Sequence, residues 1–215
     1  MPSGRPLGAR IFVAVAAALA MLLLGAALGL LIRVPSFDRA EPGPTPVDVG
    51  FAQDMSVHHQ QAVTMATLAR ERADDVAVRQ LAFDIETNQR DQIGRMQGWL
   101  SLWHEPAQAV GPPMEWMRAE GHQHGAPASG DGLMPGMASS AEMARLQELR
   151  GPEFDVYFLQ LMLRHHEGGA PMADYGARHA AVPAVRELAK NMLGSQRTES
   201  QLMRSMLAQR GAPPL

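Results

Sequence analysis

The hydrophobic and polar residues divide this sequence into one continuous apolar segment and a long amphipathic region. Residues 11–32 are 22 consecutive uncharged residues, most of them apolar. As a helix they span about 33 Å, which is enough to cross a bilayer core of roughly 30 Å. Beyond residue 47 the apolar positions follow helical spacing, and no segment shows the alternation of a strand. The pattern predicts an all-α protein that begins with one transmembrane helix.

The amphipathic region contains two copies of one sequence repeat. When the sequence is shifted by 107 residues, it aligns with itself without a gap over some fifty residues, and the pair His58-His59 falls on His165-His166. In each copy the spacing predicts a first helix, at 47–72 and at 154–179. A second helix follows in each copy and ends near residue 102 or 209. Such a duplication predicts a four-helix bundle built from two duplicated helical hairpins.

The charges around the apolar segment predict its orientation. Arg5 and Arg10 precede it and keep the N-terminus in the cytoplasm, so the segment is interpreted as a single-pass signal anchor in the cell membrane. A cleaved signal peptide, giving a secreted protein, is the alternative, and both place the working domain outside the cytoplasm. The predicted organisation is a cytoplasmic N-terminus at 1–10, a transmembrane anchor at 11–32, a Pro-rich tether at 33–46, and the bundle at 47–210 with repeats at 47–102 and 154–209.

Residues 104–138, which link the two copies, are rich in Met, His, Gly and Pro. They lack helical periodicity, which predicts a long loop that adds nothing to the core. On this interpretation, deletion of residues 108–136 leaves a folded bundle. His122 and His124, close to several methionines, either recruit a soft metal or belong to a solvated loop. A short helix is predicted to follow at about 139–150.

The composition excludes several classes of function. The chain has no cysteine, so disulfides, thiolate metal sites and cysteine nucleophiles are excluded. The formal net charge is -3 and the basic residues are scattered, which gives no surface for nucleic acid. No set of residues suited to acid–base or nucleophilic catalysis supports a hydrolase. The 15 methionines fit either closely packed helices or a site for a soft metal.

The two histidine pairs lie on the predicted inner face of the bundle. On a regular helix Met55, His58 and His59 fall within about 120° of one another, the width of a core-facing stripe. The second copy repeats the pattern, so four histidines and four methionines are predicted to converge on one core. Imidazoles buried among methionine and alanine lack hydrogen-bond partners, and a bound metal would occupy the free nitrogens. The alternative is that the histidines are structural, in a bundle that binds a partner protein.

The side chains on this stripe favour copper among the metals. Imidazole and thioether ligands without thiolates suit copper, and Cu(I) in particular, whereas zinc on histidines alone is the competitor. A di-iron site is excluded because no Glu-x-x-His sequence occurs. Asp48 and Asp155 lie two turns from the histidines and are predicted to orient an imidazole ring. A protein that sequesters or buffers copper is therefore favoured over a metal-dependent oxidoreductase.

Two motifs carry a resemblance to a known family. The stretches MSVHHQQAVTMA at 55–66 and MLRHHEGGAPMA at 162–173 resemble the bacterial family known as domain of unknown function 305, over roughly 45–210. The resemblance implies a ferritin-like helical bundle that is secreted or membrane-anchored, and some relatives are periplasmic copper-binding proteins that use Met and His. Pro171 occurs in one copy only and predicts a distorted helix and inequivalent sites. By position, the resemblance implies the metal ligands Met55, His58, His59, Met65, Met162, His165, His166 and Met172.

Overall fold

The computed structural model describes residues 7–31, 43–118 and 132–215. The chain forms two units, and the first contains one helix, α1 (Leu7–Leu31). Its segment Leu7–Gly29 has a mean hydropathy of 2.7 and is long enough to cross a membrane, as an anchor or as a signal sequence. The predicted apolar N-terminal helix is therefore confirmed. Residues 33–42 of the predicted tether, and His122 and His124 of the linker, lie outside the described residues.

The second unit is a bundle in which two helical hairpins pack against each other. Helix α2 packs on α3, α5 packs on α6, and the hairpins meet along α2 and α5, with α4 against α5. The described residues contain no strand, so the prediction of an all-α bundle is confirmed. The elements are α2 (Pro46–Arg72), α3 (Val76–Leu102), a 3₁₀ turn (Glu115–Met117), α4 (Ser140–Glu148), α5 (Gly151–His179) and α6 (Pro183–Gln209).

The helices begin where the local sequence favours a start. The carboxylate of Asp75 accepts a hydrogen bond from the N–H of Ala77 at 2.7 Å and caps α3. Pro183 occupies the first position of α6, where its missing N–H costs nothing. Helix α5 continues through Pro171 as one helix, so this proline does not end it.

Two buried aspartates tie the hairpins together, and their predicted role beside the histidines is wrong. Both oxygens of Asp48 accept backbone N–H groups, among them Val182 at 2.8 Å, immediately before α6. Asp155 accepts the N–H groups of Asp74 and Asp75 at 3.0 and 2.9 Å, immediately before α3. Each carboxylate therefore caps the second helix of the opposite hairpin, where the helix dipole favours a negative charge. Because the carboxylates are used in this way, neither orients an imidazole ring.

The linker contributes directly to the core, and the prediction that it does not is wrong. Met114, Trp116, Met117 and Met134 are each at most 8% exposed and share one core cluster with α2, α3, α5 and α6. Their contacts come from single side chains around a short turn, so they leave no periodic pattern in the sequence. A deletion of residues 108–136 would remove all four side chains and is expected to unfold the bundle.

Candidate metal centre

The two histidine pairs lie where α2 packs against α5, in the centre of the bundle. His58 and His59 are fully buried, and His165 and His166 are each 1% exposed. The rings of His58 and His165 come closest, with centroids 3.8 Å apart. Gly169 permits this approach, because a Cβ atom there would lie 2.8 Å from Cε1 of His58. The structure therefore places all four histidines together in the core.

His59 and His166 are each held by a side chain of the second helix of their own hairpin. Nε2 of His59 lies 2.7 Å from Oε1 of Gln92, and Nε2 of His166 lies 2.6 Å from Oε2 of Glu199. The amide nitrogen of Gln92 donates to Oδ1 of Asn88 at 3.2 Å, which leaves Oε1 facing the ring. Gln92 and Glu199 occupy equivalent positions of the two copies. The two pairs therefore differ by one negative charge.

His58 and His165 are held by backbone carbonyls instead. Nε2 of His58 lies 3.1 Å from the carbonyl oxygen of Pro135, which belongs to the linker. Nε2 of His165 lies 3.0 Å from the carbonyl oxygen of His58 itself. Carbonyl and carboxylate oxygens only accept hydrogen bonds, so in all four rings the proton is assigned to Nε2.

The Nδ1 atoms of all four histidines are buried and lack a hydrogen-bond partner among the described residues. A neutral imidazole that carries its proton on Nε2 presents a lone pair at Nδ1. A buried polar atom without a partner costs roughly 1–3 kcal/mol. Four such atoms in one core are satisfied by a hydrogen-bond donor or by a metal ion. The arrangement therefore fits a metal that takes nitrogen ligands.

Burial keeps three of these imidazoles, those of His58, His59 and His165, neutral. Desolvation, opposed by the hydrogen bond to the carbonyl of Pro135 and helped by the proximity of His166, lowers the pKa of His58 to about 4. Desolvation together with the proximity of His58 lowers the pKa of His59 to about 3. Burial, followed by the proximity of His58, also lowers the pKa of His165 well below its usual value. At neutral pH these three rings keep the lone pair that a metal requires.

The four candidate methionines lie on two sides of the histidine layer. All four are fully buried. Met55 and Met172 belong to one core cluster, and Met65 and Met162 belong to another. At 1.5 Å per residue, Met55 and Met65 are about 15 Å apart along α2, so they cannot bind the same ion. The predicted set of eight ligands therefore divides into two methionine pairs with four imidazoles between them.

The described residues contain no group of three or more His, Asp or Glu side chains already arranged to hold a metal ion. A structural zinc site usually presents four such ligands, or cysteines, at tetrahedral positions. Thioether sulfur is a ligand for softer ions and lies on both sides of the imidazoles here. The core therefore places thioether sulfur on both sides of the imidazole nitrogens.

Three residues of this centre were missed by sequence reasoning. Gln92 and Glu199 hold two of the rings and lie on the inner faces of α3 and α6, 33 residues after their histidines. The duplication could have identified Gln92 and Glu199, because the shift that aligns the two histidine pairs also aligns these two residues. Pro135 gave no such signal, because it uses only its carbonyl oxygen and lies in the linker.

Comparison with known proteins gives the following matches. The family model for the domain of unknown function 305 (DUF305) matches residues 48–207. A DUF305 protein from Streptomyces coelicolor, described as secreted, is 47% identical with a TM-score of 0.70, over 79% of this chain and 96% of that chain. A DUF305 fragment from Deinococcus radiodurans is 35% identical with a TM-score of 0.63, over 78% of this chain and 99% of that chain. CopM in its Cu(I)-bound form is 23% identical with a TM-score of 0.58, over 75% of this chain and 96% of that chain, and shares the fold. No curated protein matches.

Proposed function

This chain belongs to the DUF305 family, as its two motifs predicted, and from this premise we propose that it is a membrane-anchored protein that binds copper outside the cytoplasm. In this role it sequesters or buffers Cu(I), and it also binds Ag(I). The ligands are the unpaired Nδ1 atoms of His58, His59, His165 and His166, together with the thioethers of Met55, Met65, Met162 and Met172. Helix α1 is the anchor, and the bundle carries the metal.

One observation supports this proposal above the others, namely the four buried Nδ1 atoms that lack a partner among the described residues. A structural histidine normally uses both ring nitrogens, whereas these four each use one. CopM, which has the same fold, has been solved with Cu(I), Cu(II) and Ag bound. The alternative, a bundle with purely structural histidines, is favoured only by the four hydrogen bonds at Nε2.

Replacing His58 and His59 together with alanine is expected to lower the affinity for Cu(I) at least tenfold, or by about 1.4 kcal/mol. The substitution removes two of the four lone pairs. A competition titration with a Cu(I) chelator measures the change. The matched control replaces the exposed His104 and His179 with alanine and should leave the affinity unchanged. Unchanged affinity in the His58/His59 variant would remove both residues from the ligand set.

Changing Met55 and Met162 to leucine is expected to weaken Ag(I) binding while leaving Zn(II) binding nearly unchanged. Each lies about one turn before the histidine pair of its own helix, and thioether sulfur favours soft monovalent ions. The exchange preserves volume and usually costs less than about 1.5 kcal/mol of stability. Met96 and Met203, also buried and equivalent between the copies, provide the control pair. Equal losses of Ag(I) affinity in this variant and in the control variant would show that the thioethers of Met55 and Met162 are not ligands.

A further inference from the structure

The two halves of the histidine layer occupy equivalent positions of the two copies, but they differ in one hydrogen-bond acceptor. In the first copy Nε2 of His59 donates to the neutral amide oxygen of Gln92. In the second copy Nε2 of His166 donates to the carboxylate of Glu199, whose side chain is 17% exposed. The distances, 2.7 and 2.6 Å, are nearly the same. The hydrogen bond therefore has nearly the same length in both copies, but its acceptor is neutral in the first copy and negatively charged in the second.

We infer that Glu199 makes the second histidine pair the half of the centre that binds Cu(II). The first pair, which is hydrogen-bonded to the neutral Gln92, binds Cu(I). This inference rests on the proposed copper-binding function and names the oxidation state that each half prefers. Glu199 acts as a positioning residue, because it contacts His166 and not the ion.

The physical reason lies in what a carboxylate does to the imidazole that donates to it. A carboxylate that accepts the Nε2–H group of a histidine fixes the tautomer and increases the electron density available at Nδ1. Its negative charge also offsets part of the charge of the ion, and a divalent ion gains more from this than a monovalent one. An amide oxygen supplies the hydrogen bond without the charge. The pair at Glu199 should therefore gain affinity mainly for Cu(II).

The surroundings of His166 also supply oxygen, which Cu(II) accepts and Cu(I) does not need. His166 lines a cleft of about 350 Å³ together with Gln196 and Ser200. Gln196 is 5% exposed, and its Oε1 atom has no hydrogen-bond partner among the described residues. Cu(II) prefers a tetragonal set of nitrogen and oxygen ligands, which needs more donors than Cu(I) takes. The cleft offers such donors beside the second pair.

The corresponding cleft of the first copy is different in character. Ile93 and Gly94 line it where Ser200 and Gln201 line the cleft at His166. His59 does not line this cleft, and neither does Gln89, the counterpart of Gln196. Oε1 of Gln89 also lacks a hydrogen-bond partner among the described residues, so the first copy differs in lacking the donors that Ser200 and Gln201 add and the carboxylate of Glu199.

The basic residues at the second cleft do not cancel the charge of Glu199. Arg204 forms an ion pair with Glu167 at 2.5 Å, so its charge is balanced locally. Arg197 is exposed, and water screens its charge from the buried ring. The carboxylate in direct contact with His166 remains the dominant charge at that ring.

The test compares the full chain in detergent micelles with the variants Glu199→Gln and Gln92→Glu. Cu(II) affinity is measured by competition with a Cu(II) chelator, Ag(I) serves as the redox-inert substitute for Cu(I), and electron paramagnetic resonance reports the Cu(II) environment. E199Q should lower Cu(II) affinity by about 10–100-fold and change the resonance spectrum, while Ag(I) affinity changes less than about threefold. Q92E should strengthen Cu(II) binding at the first pair.

Glu167→Gln together with Arg204→Gln is the matched control, because it removes an ion pair from the same cleft, and therefore no net charge, without touching His166. E199Q is expected to fold, since the first copy already accommodates an amide at this position, and the melting temperature of the metal-free variant checks this. Equal losses of Cu(II) and Ag(I), or an unchanged Cu(II) affinity, would overturn the inference and leave the proposed function standing. A wild-type chain that binds neither ion would overturn both.

Discussion

Replacing Trp116 with alanine is expected to lower the free energy of unfolding by about 3–5 kcal/mol. The side chain is 8% exposed and packs edge-on against Phe51, with ring centroids 6.1 Å apart. Its Nε1–H group donates to Oδ2 of Asp54 at 2.7 Å, and burial raises the pKa of that carboxyl. The substitution therefore leaves both a cavity and a buried carboxyl with one partner fewer. Urea denaturation followed by helical circular dichroism measures the loss.

Two further variants separate this effect from the general loss of an aromatic ring. Trp103→Ala removes a partly exposed tryptophan that stacks on Trp99, and it should cost clearly less stability. Gly50→Ala should destabilise the bundle through the same contact, because the new Cβ would lie 2.4 Å from Cδ1 of Trp116. If W116A lost less than about 1 kcal/mol, the linker would not be part of the core and the deletion of residues 108–136 would be tolerated after all.

Lowering the pH from 7 to 5 is expected to remove about 4 kcal/mol of stability from the metal-free chain through His58 and His59, about 2 kcal/mol for each, and His165 adds to this loss. Burial lowers the pKa of His58 to about 4 and that of His59 to about 3. In the unfolded chain both titrate near 6.5, so below that pH the unfolded state binds protons that the folded state does not. The stability contributed by the neutral rings is complete above pH 6.5 and falls until the pH reaches the folded-state values.

Denaturation of the metal-free chain at pH 7, 6 and 5 measures this dependence. A variant with His58 and His59 both changed to glutamine lacks two of the three rings whose pKa burial lowers, and it should lose about 4 kcal/mol less stability than the wild-type chain over the same range. Stability that stayed constant between pH 7 and pH 5 in the wild-type chain would mean that these rings are not held neutral. The free lone pairs required for metal binding would then be in doubt.

The helices could be predicted from the sequence because each depends on local information. Periodic apolar positions, the start signals at Asp75 and Pro183, and the repetition of one unit indicated the helices of both hairpins. The burial of the four histidines could be predicted as well, since the position of a residue in the sequence determines the side of a regular helix on which it lies. These residues are His58, His59, His165 and His166.

The features that could not be predicted from the sequence depend on contacts between segments that are far apart along the chain. Asp48 lies on the predicted inner face, but only the packing of the hairpins shows that it caps α6. Trp116 and Pro135 act through one ring and one carbonyl oxygen in a segment without periodicity, so no pattern marks them. The unpaired state of the Nδ1 atoms follows from which ring nitrogen meets an oxygen, and spacing along a helix carries no information on that.

Nitrogen-15 NMR of the histidine rings can establish whether the Nδ1 atoms of the four histidines bind a soft metal ion. Long-range proton–nitrogen correlation spectra distinguish Nδ1 from Nε2 in each ring, and Ag(I) is diamagnetic, so the rings can be followed during a titration. We predict that Ag(I) shifts the Nδ1 resonances of His58, His59, His165 and His166, while the Nε2 atoms keep their protons. Saturable Ag(I) binding with all four Nδ1 resonances unmoved would show that these atoms are not the ligands.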